Sequence, residues 1–509
     1  MGVKISLLIV FFITMVVVGM YARKHASSVD GFVLGGRTAG PWLTAFGYGT
    51  SYFSAVVFVG YAGQFGWKYG LASTWIGIGN ACIGSLLAWV VLGRRTRVMT
   101  QHLNAKTMPD FFGKRYQSMG IKNVAAMIVF IFLIPYTASI YNGLSRLFAM
   151  AFDIPYAACI IGMAVFTALY VTMGGYMATA INDMIQGVIM LVGIVAVIVS
   201  VLQGKGGFSQ AIMQLAEIPS DVPVTMGQQG AFTSFFGTDP LNLLGVIVLT
   251  SLGTWGLPQM IGKFYAIRDE QSIKAGTVIS TVFAIVVAGG CYFLGGFGRL
   301  FDDPSLHHTE NGQVIYDAII PHMLSTLSDL LVGVVIVLVL SASMSTLASL
   351  VLTSSSTLTL DLLKGNICKN MKEKSLIRMM QGFIIIFIVI SVVIALKPST
   401  FIAQLMGVSW GALAGAFLAP FLYGLYWKGV TPLAVWACFL SGVGITVSNI
   451  FIPFIASPIN AGAISMLVGL MIVPVVSLVS PKMEKKKVED IFSCLNEQVI
   501  SNKKHSLEK

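Results

Sequence analysis

Gly47-Tyr48-Gly49-Thr50-Ser51-Tyr52-Phe53-Ser54 and, much further along, Gly253-Thr254-Trp255-Gly256-Leu257-Pro258 interrupt two otherwise apolar stretches near their middles. Glycine exposes backbone and proline removes a donor. A hydroxyl-rich glycine run and a Gly/Pro pair are therefore places where carbonyls can turn away from a helix and toward a ligand. Around them the chain reads as apolar segments of about 20 residues, the length that crosses roughly 30 Å of hydrocarbon. Thirteen segments qualify, at about 4–21, 41–65, 69–93, 121–150, 154–173, 178–202, 241–262, 273–298, 327–360, 376–395, 400–425, 430–453 and 459–480. Five spans counted from each break give two blocks, about 41–202 and 241–425. Blocks of odd number insert in opposite orientations, and each begins with a broken helix, the pattern of inverted-repeat transporters that bind substrate and ions at the breaks. Gly and Pro are also common in plain membrane helices, so the matched pair says more than either break.

Composition demands the same solvent. Of 509 residues only 10% are charged, 56% are hydrophobic, and mean hydropathy is +0.83. A soluble protein carries about 25% charge, and so much apolar surface needs a lipid bilayer. The net charge of +11 raises the question of nucleic acid, which the placement of the basic residues answers. With the N-terminus outside, 26 of the 32 Lys and Arg fall in inner loops and the tail, as positive-inside loops require. Only Lys4, Lys68, Arg146, Lys205, Arg299 and Lys397 fall outside. The excess is topological, and no nucleic-acid partner is expected. The first apolar run is read as an uncleaved span, since Arg23 and Lys24 follow it. Residues 1–480 form one polytopic domain, and 481–509 a short basic cytoplasmic tail. Six scattered cysteines, without a CxxC pair, support neither a disulfide framework nor a zinc site.

Among the acids, Asp183 alone is expected well inside a span. A carboxylate there costs about 2.5–3.5 kcal/mol on insertion scales, so it should face a wet cavity or a cation, unless it snorkels from the inner end of its span. In the ninth span, Ala342, Ser345, Thr346 and Ser349 follow i, i+3, i+4, i+7 spacing and share one face. Three hydroxyls on that face suit a hard monovalent cation. They also suit close helix packing.

The segment Gly174-Gly175-Tyr176-Met177-Ala178-Thr179-Ala180-Ile181-Asn182-Asp183-Met184-Ile185-Gln186, together with Ser345-Thr346-Leu347 and Gly35-Gly36-Arg37, resembles the sodium:solute symporter family over about residues 5–480. The resemblance implies an all-α integral membrane protein of 13 transmembrane helices. Its fold would be the leucine-transporter-type 5+5 inverted repeat with one extra N-terminal and two extra C-terminal helices. It implies Na+ as the coupling ion, held at a principal site by the carbonyls of Thr50, Phe53 and Ala342 and the hydroxyls of Ser345 and Thr346. A second Na+ in some members would use Asp183, Ser345, Thr346 and Ser349, with one further family position falling on Ala348, which has no hydroxyl. Substrate contacts of the proline branch map to Ser54, Ala55, Thr250, Thr254 and Pro258. That branch has an acid where this chain has Tyr52, and aromatic residues at Thr250 and Thr254. Trp255 and Gln259 lie near enough to shape the pocket instead.

The expected function is sodium-coupled import of a small organic solute by alternating access, with an amino acid such as proline favoured. The alternatives are a carboxylate, a sugar or a vitamin such as pantothenate, or a proton-coupled transporter of the same fold. No GxSxG, HExxH or GxxxxGK[ST] motif is present, so an enzyme is not expected. A channel predicts currents without organic solute. The protein is expected in the plasma membrane as a monomer, with its C-terminus cytoplasmic.

Overall fold

The structure, a computed structural model, describes residues 2–23, 26–152, 154–307, 312–367, 371–396, 402–496 and 499. Lys24, Cys368, Lys369, Lys397, Lys503, Lys504 and Lys509 lie outside the described residues. The chain is helical throughout. Its main helices are α1 (Gly2–Ala22), α2 (Pro41–Tyr52), α3 (Val56–His102), α4 (Met119–Phe152), α5 (Tyr156–Gln203), α6 (Pro240–Leu252) and α7 (Pro258–Tyr265). They continue as α8 (Glu270–Gly295), α9 (Asp329–Leu363), α10 (Glu373–Ala395), α11 (Ile402–Tyr426), α12 (Pro432–Phe451) and α13 (Pro458–Val479). Among the described residues, ten helices are long and apolar enough to cross a membrane, or eleven with the bent pair α6–α7 taken as one span.

Both expected interruptions are breaks. The first helix ends at Tyr52, Phe53 is extended (φ −106°, ψ 129°), and helix resumes at Val56. The Ser54 hydroxyl accepts from the Val56 N–H at 3.2 Å and so caps the restart. At the second, Leu257 is extended (φ −87°, ψ 120°), Pro258 opens α7 where its missing N–H costs nothing, and the two halves bend by 46°.

Two helices are too long for one crossing: α5 has 48 residues, about 72 Å at 1.5 Å per residue. Each contains a glycine in a conformation open only to glycine, Gly70 (φ 60°, ψ −141°) in α3 and Gly175 (φ 53°, ψ −148°) in α5. The chain reverses at both. On one side of Gly175 the Phe166 ring lies 4.2 Å from Phe12, and on the other the Gln186 amide reaches the Met15 sulfur, so both arms run along α1. After Gly70, Ser73 and Ser85 meet Tyr292 and Ser280 in antiparallel order along α8.

Burial separates the core from the rim. The apolar windows of α9 and α11 are 78% and 83% buried inside the protein, whereas those of α1 and α10 are 22% and 28% buried. The first pair is therefore the packed centre and the second presents its apolar faces outward. Basic residues gather at one end. Arg37 donates to the Tyr265 and Ala105 carbonyls, Arg97 to the Ile267 carbonyl, Arg94 to Glu270 and Arg115 to the Gly424 and Trp427 carbonyls. There the tail forms a helix, Lys485–Ser493, with Val488, Ile491 and Phe492 buried. The other end holds the pairs Lys4–Asp329, Arg146–Asp317 and Arg299–Asp221.

Candidate ion and solute site

The first break lies against the hydroxyl run of α9, and four side chains hold it there. The Ser343 hydroxyl accepts from the Ala55 N–H at 3.0 Å. Ser345 donates to the Thr50 hydroxyl at 2.8 Å, and the Ser51 and Ser349 hydroxyls pair at 3.0 Å. The Thr346 hydroxyl faces four carbonyls at once, Ala342 at 3.0 Å, Phe53 at 3.1 Å, Thr50 at 3.3 Å and Ser51 at 3.5 Å. The extended turn at Phe53 interrupts the helical ladder; the Thr50 carbonyl accepts from the Phe53 N–H at 3.3 Å, inside the turn. The result is a buried cluster of oxygens with more acceptors than donors, the donor set a hard monovalent cation takes. Thr50, Phe53, Ala342, Ser345 and Thr346 are thus brought together. Among the described residues, no three His, Cys, Asp or Glu side chains gather as a transition metal would need.

Asp183 does not snorkel. It is buried in the arm of α5 after Gly175, and its Oδ2 sits 3.1 Å from the Lys263 ammonium, with side-chain exposures of 1% and 4%. Lys263 belongs to α7 rather than to an inner loop, which corrects the sequence reading: the apolar run ends at Gly262, but the helix continues to Tyr265. Gly47 faces the pair, and a Cβ there would sit in ordinary contact with it, 3.4 Å from Asp183 Oδ2 and 3.6 Å from Lys263 Nζ. A cavity reaches this point from Lys106 and Thr107 at the basic end and is also lined by Tyr176, Gln259, Lys263 and Ser349.

The expected solute contacts divide into three groups. Thr250 donates to Asn80 Oδ1 at 2.9 Å, Thr254 to the Ser251 carbonyl and Trp255 Nε1 to the Ile83 carbonyl at 3.0 Å, so these three are engaged by their own helix and by α3. Pro258 and Gln259 line the cavity of the basic end, and both amide atoms of Gln259 are without a partner. Ser54 and Ala55 are fully buried at the restart of the broken helix. Sequence reasoning missed Ser343, Asn80 and a group of buried aromatics. Tyr52 donates to the Thr250 carbonyl and packs near Trp410, which Tyr136 meets edge-on. The Tyr136 hydroxyl and Trp410 Nε1 have no protein partner, nor have the Tyr61 and Tyr292 hydroxyls. No periodicity links residues contributed by so many separate helices.

Comparison with known proteins fits this geometry. The model of the sodium:solute symporter family matches residues 32–440, and the chain belongs to that family. It is a multi-pass membrane transporter and not an enzyme, with Na+ as coupling ion and a solute as cargo. The chain is 28% identical over 444 residues to the osmoregulated proline transporter OpuE of Bacillus subtilis, covering 85% of this chain and 86% of that one. It is 27% identical over 508 residues to a sodium/proline symporter of Staphylococcus aureus, with 96% and 94% coverage. A Na+-coupled sialic acid symporter in a substrate-bound outward-open state superposes with a TM-score of 0.74 at 14% identity, over 95% of this chain and 99% of that one. The nucleobase-cation-symport-1 transporter Mhp1 gives 0.52 at 12% identity, over 91% and 98%. At those identities the likeness speaks for the fold.

Proposed function

We propose that this protein imports a small organic solute by alternating access, with Na+ held between the first break and α9. The oxygen cluster around Thr346 carries the reading. Thr50, Phe53 and Ala342 would supply carbonyls, and Ser345 and Thr346 hydroxyls. An ion shifts a conformational equilibrium only by binding one state better than the other. An ion joining a broken helix to a neighbouring one meets that condition, because its ligands come apart when the two move. One Na+ entering at 100 mV yields about 2.3 kcal/mol, enough for roughly fiftyfold accumulation of solute.

The reading includes thirteen crossings, with α2 and the part of α3 before Gly70 crossing as one broken span, the rest of α3 crossing once, α5 crossing twice through its glycine reversal and α6–α7 crossing once. It includes the inverted repeats 41–202 and 241–425 and the basic end in the cytoplasm of a plasma membrane. The basic count in inner loops supports that orientation. Proline is the favoured solute, since the two relatives named above carry it in their names. Ser54, Ala55, Pro258, Gln259 and the free hydroxyls of the central tyrosines are the groups left to meet it, as Thr250, Thr254 and Trp255 are already bonded.

Replacing Ser345 and Thr346 together by Ala should abolish Na+-stimulated uptake while the protein still reaches the membrane. Unchanged Na+ dependence overturns the site. Thermal-shift screening against amino acids, sugars, carboxylates and vitamins, each in Na+ and in K+, tests the solute. A pH-driven, Na+-indifferent uptake would identify proton coupling instead.

A further inference from the structure

Asp183 and Lys263 form a buried ion pair that the principal cation cluster does not use, and its placement bears on how many ions the protein carries. The carboxylate lies close to the Ser345 hydroxyl of α9, and Asp183, Ser345 and Ser349 together could bind a second cation. Its Oδ1 is buried without a hydrogen-bond partner among the described residues, but its Oδ2 already faces a cation. Lys263 Nζ stands 3.1 Å from Oδ2, the two side chains are almost wholly buried, and the Tyr176 ring lies 5.5 Å from the ammonium. Carboxylate and ammonium together are neutral. A sodium ion added beside them would leave a net positive charge against two almost wholly buried side chains, which a low-dielectric interior disfavours. The oxygen shell is short as well, because Ala348 stands on the same turn of α9 as Ser345 and Ser349 and offers no ligand.

We propose that Lys263 is a tethered cation that permanently serves Asp183, so that this chain binds one Na+ per cycle where the same scaffold with a free carboxylate would bind two. The inference rests on the proposed principal site, which takes the one ion. It also assigns Lys263 a mechanical part. The ammonium rides on α7, the inner half of the second broken helix, and its anion on α5, so the pair fastens these two elements with a charge that needs no loading from solution.

The test counts ions in the full-length protein reconstituted in nanodiscs, using radioactive Na+ alone and no solute. Wild type should bind one Na+ per chain. Lys263→Gln, which frees the carboxylate, should bind two, and Lys263→Gln/Asp183→Asn should return to one. Adding Ala348→Ser should tighten the second ion in the Lys263→Gln background and change nothing in wild type, a response that a merely structural lysine would not give. Two ions in wild type, or one in folded Lys263→Gln, overturns the proposal. Should Lys263→Gln fail to fold, the wild-type count still decides. No saturable binding in wild type would instead refute the principal site.

Discussion

Thr346 shows how much one hydroxyl can organise. Its oxygen lies within 3.0 to 3.3 Å of the carbonyls of Thr50, Phe53 and Ala342, so removing it would loosen the helix break and, in the proposed site, the ion. A buried acceptor left unpaired costs about 1–3 kcal/mol, equivalent to roughly a fivefold to hundredfold loss in affinity. Thr346→Ala should raise the Na+ concentration for half-maximal uptake by about that factor, and Thr346→Ser should restore most of it; equal effects of the two would show that the hydroxyl is not involved. At the basic end Asp110 offers a test by pH. Burial pushes its carboxyl upward, but Lys122 at 2.7 Å and Lys114 at 2.9 Å outweigh that and hold it below the usual carboxylate range. Since the folded value is the lower one, its contribution to stability is complete above the unfolded value of about 3.9 and is lost as pH falls through the folded value. Thermal unfolding of purified protein should therefore drop on acidification below about pH 4, and Asp110→Asn should lower Tm at pH 7 and flatten that part of the profile. Not every such residue was legible. The Ser345–Thr346 face follows from helical spacing, but Ser343 lies off that stripe and gains its role only through the Ala55 N–H of the distant break. Lys263 was misread because its partner is 80 residues away in sequence and local hydropathy ends one residue before it.

At the scale of elements, glycine and proline punctuation marked the breaks correctly, since extended backbone at Phe53 and Leu257 needs local chemistry that sequence displays. Gly70 falls inside the expected span 69–93, whereas the turn at Gly175 falls between the expected spans 154–173 and 178–202. That turn depends on a backbone state closed to other residues, and a Cβ at Gly175 would also come within 2.7 Å of the Phe32 carbonyl. Gly175→Ala should thus cost about 1–3 kcal/mol from the backbone alone, seen as a lower Tm in detergent and reduced yield of monodisperse protein. A stability equal to wild type would mean that the hairpin tolerates another geometry. The aromatic group around Trp410 shows the limit of such reading. Its members come from the first break, α3, α4, α8 and α11, and only packing brings them together.

The whole molecule sorts charge by end. That ordering was visible in sequence because loop charge is a topological signal requiring no tertiary knowledge, whereas the partners of those charges were not. The proposed orientation predicts that, in a cysteine-free background, Lys205→Cys reacts with an impermeant thiol reagent on intact cells, while Lys485→Cys reacts only after permeabilisation. The reverse pattern would invert the topology.

The short main-chain bridge between Ala39 and Ile267 carries a mechanical corollary. The Ala39 N–H bonds the Ala266 carbonyl at 3.1 Å, and the Arg268 N–H bonds the Ala39 carbonyl at 3.0 Å. These two bonds rivet the segment entering α2 to the segment leaving α7, so the two broken helices are tied together at the basic end. Spin labels across this rivet should keep one separation through the transport cycle, and the flexing must fall at Phe53 and Leu257, where the helical ladder is already open.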